Sequence, residues 1–171
     1  VDPHLHRIHS LDEAIPVATT VVLSGAPLLG DLIAKHHAHP FLIGPDGESA
    51  QWVAAAAQSH GFDCAVCKKI RHGDHAVDIL LPSIDVKGRA VVVLDDVASS
   101  GQTLARAAQL LLAAGAESVD VAVTHALFAG DALTVISNAG VSRIWSTDCI
   151  RHESNAVSLC STIAQCLIKL N

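Results

Sequence analysis

Short apolar runs rich in Val, Ile and Leu alternate along the chain with longer segments in which apolar residues recur at helical spacing. The runs predict strands at residues 20–24, 41–44, 63–70, 90–94, 118–124 and 141–146. The longer segments predict helices at residues 27–37, 48–60, 103–114, 131–138 and 161–170. Because strands and helices that alternate are typical of βαβ units, the pattern predicts an α/β fold with a mainly parallel sheet flanked by helices.

Length and composition agree with one globular domain over residues 1–171. The chain has a mass of 17.8 kDa, 50% hydrophobic and 16% charged residues, and a mean hydropathy of +0.41, which excludes the disordered and fibrous classes of protein. Its strictly apolar runs are far shorter than the roughly 18 residues that a membrane helix needs. The sequence therefore predicts no membrane partner.

The charge and the cysteines narrow the functional classes further. A formal net charge of −6 argues against sequence-independent nucleic-acid binding, which requires a basic field, so any phosphate ligand must be held by local groups. The five cysteines show neither a disulfide framework nor a signal-peptide context, and we expect a cytoplasmic protein with reduced thiols. Cys64 and Cys67 form a CxxC pair on a predicted strand, where they would point to opposite faces, so a zinc site is disfavoured. The histidine cluster at residues 36–39 is expected on the surface.

Residues 91–103 combine a Val-rich strand, two acidic residues, a loop of small residues and the start of a helix. In open α/β sheets, ligands bind beyond the carboxyl ends of the strands, and the N–H groups of such a loop can bind a phosphate. The side chains available to a ligand here are Asp95, Asp96, Ser99, Ser100 and Thr103. The alternative is that a serine merely caps the next helix while the acids are solvated.

This segment resembles the ribose-phosphate loop of the type I phosphoribosyltransferase fold. That fold is shared by transferases that consume phosphoribosyl diphosphate and by ribose-phosphate diphosphokinase, which makes it from ATP and ribose 5-phosphate. The loop alone does not distinguish these activities.

Four further segments resemble ribose-phosphate diphosphokinases: residues 1–7, 43–46, 69–71 and 124–130. The resemblance implies that His4 and Asp46 contact Mg²⁺, the expected cofactor, with His6 as an alternative to His4. It also implies that Lys69 and Arg71 are catalytic, and their spacing places both on one face of an extended segment, although an exposed basic strand edge would look the same.

The resemblance also implies which residues hold the acceptor sugar phosphate. The implied ribose 5-phosphate site comprises Arg71, Asp95, Asp96, Ser99, Ser100, Gly101, Gln102 and Thr103. Two of these residues depart from the family pattern: Gln102 stands where glycine is common, and Ser99 stands where many bacterial members have aspartate. A larger side chain at residue 102 would reshape the phosphate loop.

The resemblance covers essentially the whole chain but only the second half of the family's chain. We therefore expect that residues 1–15 and 157–171 pack with an absent N-terminal domain, that the longer protein binds ATP and forms a homo-oligomer, and that this chain alone is inactive. Two alternatives remain. A phosphoribosyltransferase acting on a base or amine would share the loop but would not need Lys69 and Arg71, and a catalytically silent relative would keep the fold as a regulatory subunit.

Overall fold

The computed structural model describes residues 1–5, 10–15, 17, 19–72 and 76–170, with only the backbone of residues 71, 72, 76 and 77. The helices α1 to α6 are Leu11–Ala14, Ala26–His36, Ala50–Gln58, Gln102–Ala113, Ala132–Asn138 and Cys160–Leu170, and a 3₁₀ turn at Gly47–Ser49 precedes α3. The strands β1 to β8 are Phe41–Gly44, Asp63–Val66, Lys68–His72, Ala76–Leu80, Ala90–Ala98, Ser118–Ala126, Ile144–Thr147 and Asn155–Val157.

Six strands form the main sheet in the order β2-β1-β5-β6-β7-β8, and every neighbouring pair is parallel. β3 and β4 form a separate antiparallel hairpin. The predicted α/β fold with a mainly parallel sheet is confirmed. Because the six strands run in one direction, the loops that follow them gather at a single edge of the sheet.

The central strand β5 is apolar on both faces because helices cover both faces. Val91 and Val93 pack in the cluster that includes α4 and α5, whereas Val92 and Leu94 pack in the cluster that includes α2 and α3. Burial of each such side chain stabilises the fold by roughly 1.5–3 kcal/mol. The unbroken apolar run thus marks a buried parallel strand.

Four of the six predicted strands agree with the structure and two do not. The strand at 41–44 is confirmed, those at 90–94 and 118–124 continue to Ala98 and Ala126, and that at 141–146 starts later, at Ile144. The strand predicted at 20–24 is wrong, since these residues, all described, have no strand assignment. Val21 and Val22 are 42% and 54% exposed. Their β-branched side chains favour a strand, but no strand among the described residues pairs with them.

The single strand predicted at 63–70 is also wrong, because the chain leaves the main sheet at Cys67. β2 ends at Val66, the Cys67 N–H donates to the carbonyl oxygen of Gly44 at 2.8 Å, and β3 then pairs with β4 in the hairpin. Neither β4, the short α1 nor β8 was evident from the hydrophobic pattern. The break matters because it carries residues 68–72 away from the sheet and towards the loop after β1.

The helix boundaries follow the glycines. α4 starts directly after Gly101 (φ 74°) and ends just before Gly115 (φ 93°), the predicted stop. The predicted start at residue 48 of α3 moves to Ala50 because the 3₁₀ turn occupies residues 47–49. Within the described part of the chain, no helix has the length and apolar character needed to span a bilayer.

Candidate active site

Predicted site residues from three separate segments lie at the carboxyl edge of β1 and β5, and β3 brings Lys69 of a fourth segment to Asp46. Asp46 follows β1, Asp95 and Asp96 lie near the end of β5, and the N-terminal segment carries His4. His4 Nδ1 and Asp96 Oδ2 lie 2.6 Å apart, so the N-terminal segment contacts β5. The edge therefore collects groups that are 92 residues apart in sequence.

The loop between β5 and α4 borders a small cavity of about 140 Å³. Its polar lining comprises Asp95, Ser99, Ser100, Gly101 and Thr103. Gln102 is exposed and does not line this cavity, so its side chain leaves the space open. The first N–H groups of α4 have no intrahelical acceptor, so the predicted phosphate loop presents hydroxyls and N–H groups together.

Gly101 is required by the geometry of this loop. Its φ of 74° is unfavourable for other residues, and a Cβ there would lie 2.9 Å from Ile136 Cγ1 and 3.0 Å from the carbonyl oxygen of Ala132. The loop is also held from the side of β6, because the N–H groups of Phe128 and Ala129 donate to the carbonyl oxygens of Ala98 and Ser99 at 2.8 and 3.0 Å. The loop is therefore a fixed structure.

The two adjacent acids face opposite sides of β5. Asp95 lies on the α4 side and lines the loop cavity, whereas Asp96 is 1% exposed and contacts His4 on the other side. Burial, followed by the negative charges of Asp96 and Asp46, raises the pKa of the Asp95 carboxyl to about 8. The two acids therefore line different sides of β5, although the charge of Asp96 still acts on Asp95.

The N-terminal segment contributes His4 to a larger depression of about 680 Å³. Glu48 lines the same depression, and its Oε2 lies 3.9 Å from His4 Nε2. Asp2, two residues before His4, is 3% exposed and is hydrogen-bonded to groups of three other elements. The alternative histidine, His6, lies outside the described residues.

Asp46 and Lys69 border a third, open depression of about 700 Å³. Lys69 Nζ lies 3.4 Å from Asp46 Oδ2, and the Glu48 N–H donates to Asp46 Oδ1 at 3.0 Å. Arg71 follows on the same strand with its backbone opposite Val77, and its side chain lies outside the described residues. The hairpin thus places one of the two predicted cationic side chains, that of Lys69, at the acidic edge.

Mg²⁺ prefers oxygen ligands and retains several waters or substrate phosphates. Among the described residues, no three His, Cys, Asp or Glu side chains converge as a cage for a metal ion. However, burial, followed by the negative charges of Asp96 and Asp46, raises the pKa of the Asp95 carboxyl, and a divalent cation would relieve the part that comes from the charges. The carboxylates at this edge supply oxygen ligands of the kind that Mg²⁺ prefers, and water or a bound phosphate would have to supply the other ligands.

The phosphoribosyl transferase domain family matches residues 25–142, which include the loop, Asp46, Lys69 and β6. The chain belongs to the phosphoribosyl transferase domain family. The matched residues start after His4, so the family match does not cover the N-terminal segment.

Curated relatives confirm the resemblance to ribose-phosphate diphosphokinases. This phosphoribosyl transferase domain is 35% identical over 159 residues to ribose-phosphate pyrophosphokinase 2 of Archaeoglobus fulgidus, covering 93% of this chain and 58% of the relative. It is 34% identical over 151 residues to the ribose-phosphate pyrophosphokinase of Methanosarcina acetivorans, covering 88% and 53%. The chain therefore spans slightly more than half the length of these relatives.

Solved structures confirm the fold. A phosphoribosylpyrophosphate synthetase from Mycobacterium smegmatis superposes with a TM-score of 0.68 at 24% identity, over 85% of this chain and 50% of that chain. A purine phosphoribosyltransferase from Pyrococcus horikoshii superposes with a TM-score of 0.53 at 19% identity, over 59% and 69%. Both therefore share the fold of this chain over the part that superposes.

Sequence reasoning did not identify every residue at the site. From the sequence, Glu48 belongs only to a predicted helix, and Asp2 only to the N-terminal segment. The signal for Glu48 was its position two residues after Asp46, where an Asp side chain commonly caps the following turn. No local signal pairs Asp2 with Thr124, since that contact spans 122 residues.

Proposed function

We propose that this chain carries the sugar-phosphate half of an enzyme that transfers the diphosphoryl group of ATP to ribose 5-phosphate. The products are 5-phosphoribosyl 1-diphosphate and AMP. The observation that supports this proposal most directly is the 2.6 Å contact between His4 and Asp96. It brings the segment that resembles the ATP site of diphosphokinases against the strand that leads into the ribose-phosphate loop.

The reaction is an in-line displacement at the β-phosphorus of ATP. The anomeric oxygen of ribose 5-phosphate forms the new bond, the bond from the β-phosphorus to the α,β-bridging oxygen breaks, AMP leaves with that oxygen, and the hydroxyl proton is released. Because charge develops on phosphate oxygens, positioning and electrostatic stabilisation provide most of the acceleration.

The ribose-phosphate loop holds the acceptor in this proposal. Thr103 and the loop hydroxyls would bind the 5-phosphate with the N–H groups of α4, and Asp95 would accept hydrogen bonds from the sugar hydroxyls. Asp96 would contribute by holding His4, since it is 1% exposed.

In this proposal Lys69, whose Nζ lies 3.4 Å from Asp46 Oδ2, supplies a cation to the transferring group. Its ammonium would leave Asp46 for the anionic phosphates, and Arg71 would add a bidentate grip. When bound, Mg²⁺ would neutralise charge on the diphosphate, held by Asp46 and, in the proposed site, by His4.

We also propose that the terminal segments pack against a further domain of a longer homo-oligomeric protein. α6 has no buried residue, and its Ile163, Leu167 and Ile168 are 39%, 56% and 75% exposed. An apolar helix face of this kind is typical of an interface.

A binding measurement on this chain tests the acceptor site directly. We expect ribose 5-phosphate to bind saturably in calorimetry, and Thr103→Val to weaken binding by about 10–100-fold, because a hydrogen bond to a charged group is lost. Gln109→Ala, on the exposed face of the same helix, is the matched control and should bind normally. Equal affinity of Thr103→Val would contradict the proposed loop site.

Turnover by the complete protein tests the reaction. We expect ATP and ribose 5-phosphate with Mg²⁺ to yield AMP and 5-phosphoribosyl 1-diphosphate in equal amounts, by ³¹P NMR. Consumption of added 5-phosphoribosyl 1-diphosphate with a nucleobase would indicate a transferase instead. No reaction in either assay, with ribose 5-phosphate still bound, would indicate a silent relative.

A further inference from the structure

The segment at the end of β6, residues 124–129, touches both halves of the candidate site. Its first residues bind the N-terminal segment, and its last residues bind the ribose-phosphate loop. We infer that Thr124 is a positioning residue that acts through Asp2 to hold His4 against Asp96. This inference rests on the proposed function for its kinetic consequences, but the contact itself can be tested without turnover.

Asp2 is held by three donors from three elements. Its Oδ2 accepts hydrogen bonds from the Thr124 hydroxyl and the Gly25 N–H, both at 2.8 Å, and its Oδ1 accepts one from Trp52 Nε1 at 3.0 Å. The carboxylate is 3% exposed and Thr124 is 1% exposed. Neither group is accessible to a substrate, so their role must be exerted through another residue.

The backbone around Asp2 is fixed as well. The Asp2 N–H donates to the Leu23 carbonyl oxygen at 2.8 Å, and His125 Nε2 lies 3.2 and 3.3 Å from the carbonyl oxygens of Val1 and Asp2. Pro3 follows with a restricted φ. Few free rotations therefore separate the anchored Asp2 from His4, and the anchor sets where the imidazole lies.

Beyond Thr124 and His125 the same segment holds the loop. Phe128, with a φ of 37°, and Ala129 donate their N–H groups to Ala98 and Ser99. One short stretch of chain thus determines the separation between the His4 segment and the loop. For two substrates that must meet at a fixed distance, a shared support preserves the reacting geometry.

The kinetic test uses Thr124→Val, which keeps the shape and removes the hydroxyl, in the complete protein. We expect kcat/KM for ATP to fall by about tenfold, because small displacements of positioned groups are costly, while the Kd for ribose 5-phosphate stays the same. Thr124→Ser keeps the hydroxyl donor, so it should retain most of the kcat/KM for ATP that Thr124→Val loses. Ser146→Ala, which removes another buried strand hydroxyl whose partners are Ser154 and Asn155, controls for general destabilisation.

A double-mutant cycle separates positioning from a merely structural role. If Thr124 acts through His4, then Thr124→Val should have little further effect on kcat/KM in a His4→Ala background. Full additivity of the two losses would overturn the inference, as would equal losses for Thr124→Val and Ser146→Ala.

A spectroscopic test on the 171-residue chain does not depend on turnover. In ¹⁵N-labelled protein, we expect a downfield, slowly exchanging Nδ1–H proton of His4, assigned by its absence in His4→Ala. The signal should be retained in Thr124→Ser and Ser146→Ala and lost in Thr124→Val. Retention of the His4 signal in Thr124→Val would overturn the inference, even if the enzyme is active. Loss of the signal in a protein that lacks the proposed activity would support the positioning role and refute the proposed function alone.

Discussion

A buried aspartate lies at each end of α2, and the two aspartates differ in their hydrogen bonds. At the start of α2, Asp2 accepts three hydrogen bonds, one of them from Gly25, the N-cap of the helix. At its end, Asp120 on β6 is 1% exposed and pairs with His37 at 2.7 Å, while its Oδ1 has no partner among the described residues.

The helix dipole explains part of this difference. A negative charge is stabilising at a helix N-terminus and unfavourable at a C-terminus, so Asp2 gains from α2 whereas Asp120 depends on His37. The expectation that the histidines at 36–39 lie on the surface is wrong for His37, whose side chain is 15% exposed. The fully satisfied aspartate lies at the edge that carries the site, where geometry must be maintained.

Asp95 forms a third case, because it is a half-buried acid at the site whose pKa is raised to about 8 by burial and by neighbouring carboxylates. The Asp96 N–H donates to Asp95 Oδ1 at 3.0 Å, but this one hydrogen bond does not offset burial and the neighbouring negative charges. In the proposed function, a bound sugar provides further donors and a metal ion provides a positive charge. The same substitution, Asp to Asn, should therefore have three different outcomes at these positions.

Asp2→Asn should have the largest effect. The amide can present only one acceptor oxygen, so its NH₂ group would face at least one of the three donors and leave it unsatisfied. We expect a loss of about 2–4 kcal/mol in the free energy of unfolding, measured in urea. Asp31→Asn, at an acid 54% exposed, is the control and should change stability by less than about 1 kcal/mol. A small loss at Asp2 would mean that the three hydrogen bonds contribute little.

Asp95→Asn should stabilise the protein, and increasingly so at higher pH. Because the folded-state pKa of about 8 lies above the ordinary value of 3.8, the folded protein holds a proton that the unfolded chain releases. The stabilisation of the folded state by this proton is complete below the pKa of the unfolded chain and is lost as the pH rises towards 8. A neutral amide at this position has no such loss of stability.

We expect the gain of Asp95→Asn over the unsubstituted protein to grow by on the order of 1–3 kcal/mol between pH 5 and pH 8, in urea unfolding curves. A gain that does not change with pH would show that Asp95 is already ionised in the folded state at low pH. Saturating Mg²⁺ should reduce the difference, since a cation favours the carboxylate.

Asp120→Asn should have the smallest effect. The amide oxygen can still accept the hydrogen bond from His37, and a carboxylate with an unpartnered oxygen near a helix C-terminus is removed. We expect the free energy of unfolding to stay within about 1 kcal/mol of the original. A loss as large as that of Asp2→Asn would remove the contrast between the two ends of α2.

The sequence predicted the central part of the fold well, because the runs at β1, β5 and β6 are apolar on both faces. It failed where pairing depends on distant residues. The run at 20–24 has strand composition but no neighbouring strand, and the run at 63–70 is divided because Cys67 bonds Gly44 and the chain then turns into a hairpin.

In the candidate site, too, the contacts between distant residues could not be predicted. Residues of the β5–α4 loop are close in sequence, and Ser99, Ser100 and Thr103 line one small cavity. The opposite faces of Asp95 and Asp96 follow from strand alternation, although both were assigned to the sugar. The contacts of His4 with Asp96 and of Asp2 with Thr124 depend on the packed sheet, and no local pattern contains them.

The thiol of Cys67, where the chain leaves the main sheet for the hairpin, can report on the opening of this part of the fold. The thiol is 2% exposed, and burial, followed by the charge of Asp46, raises its pKa to about 11, so the reactive thiolate is scarce at neutral pH. Cys64, three residues earlier, is exposed. We therefore expect an alkylating reagent to modify Cys64 before Cys67. The rate at which Cys67 then reacts reports how often the hairpin that carries Lys69 separates from the sheet.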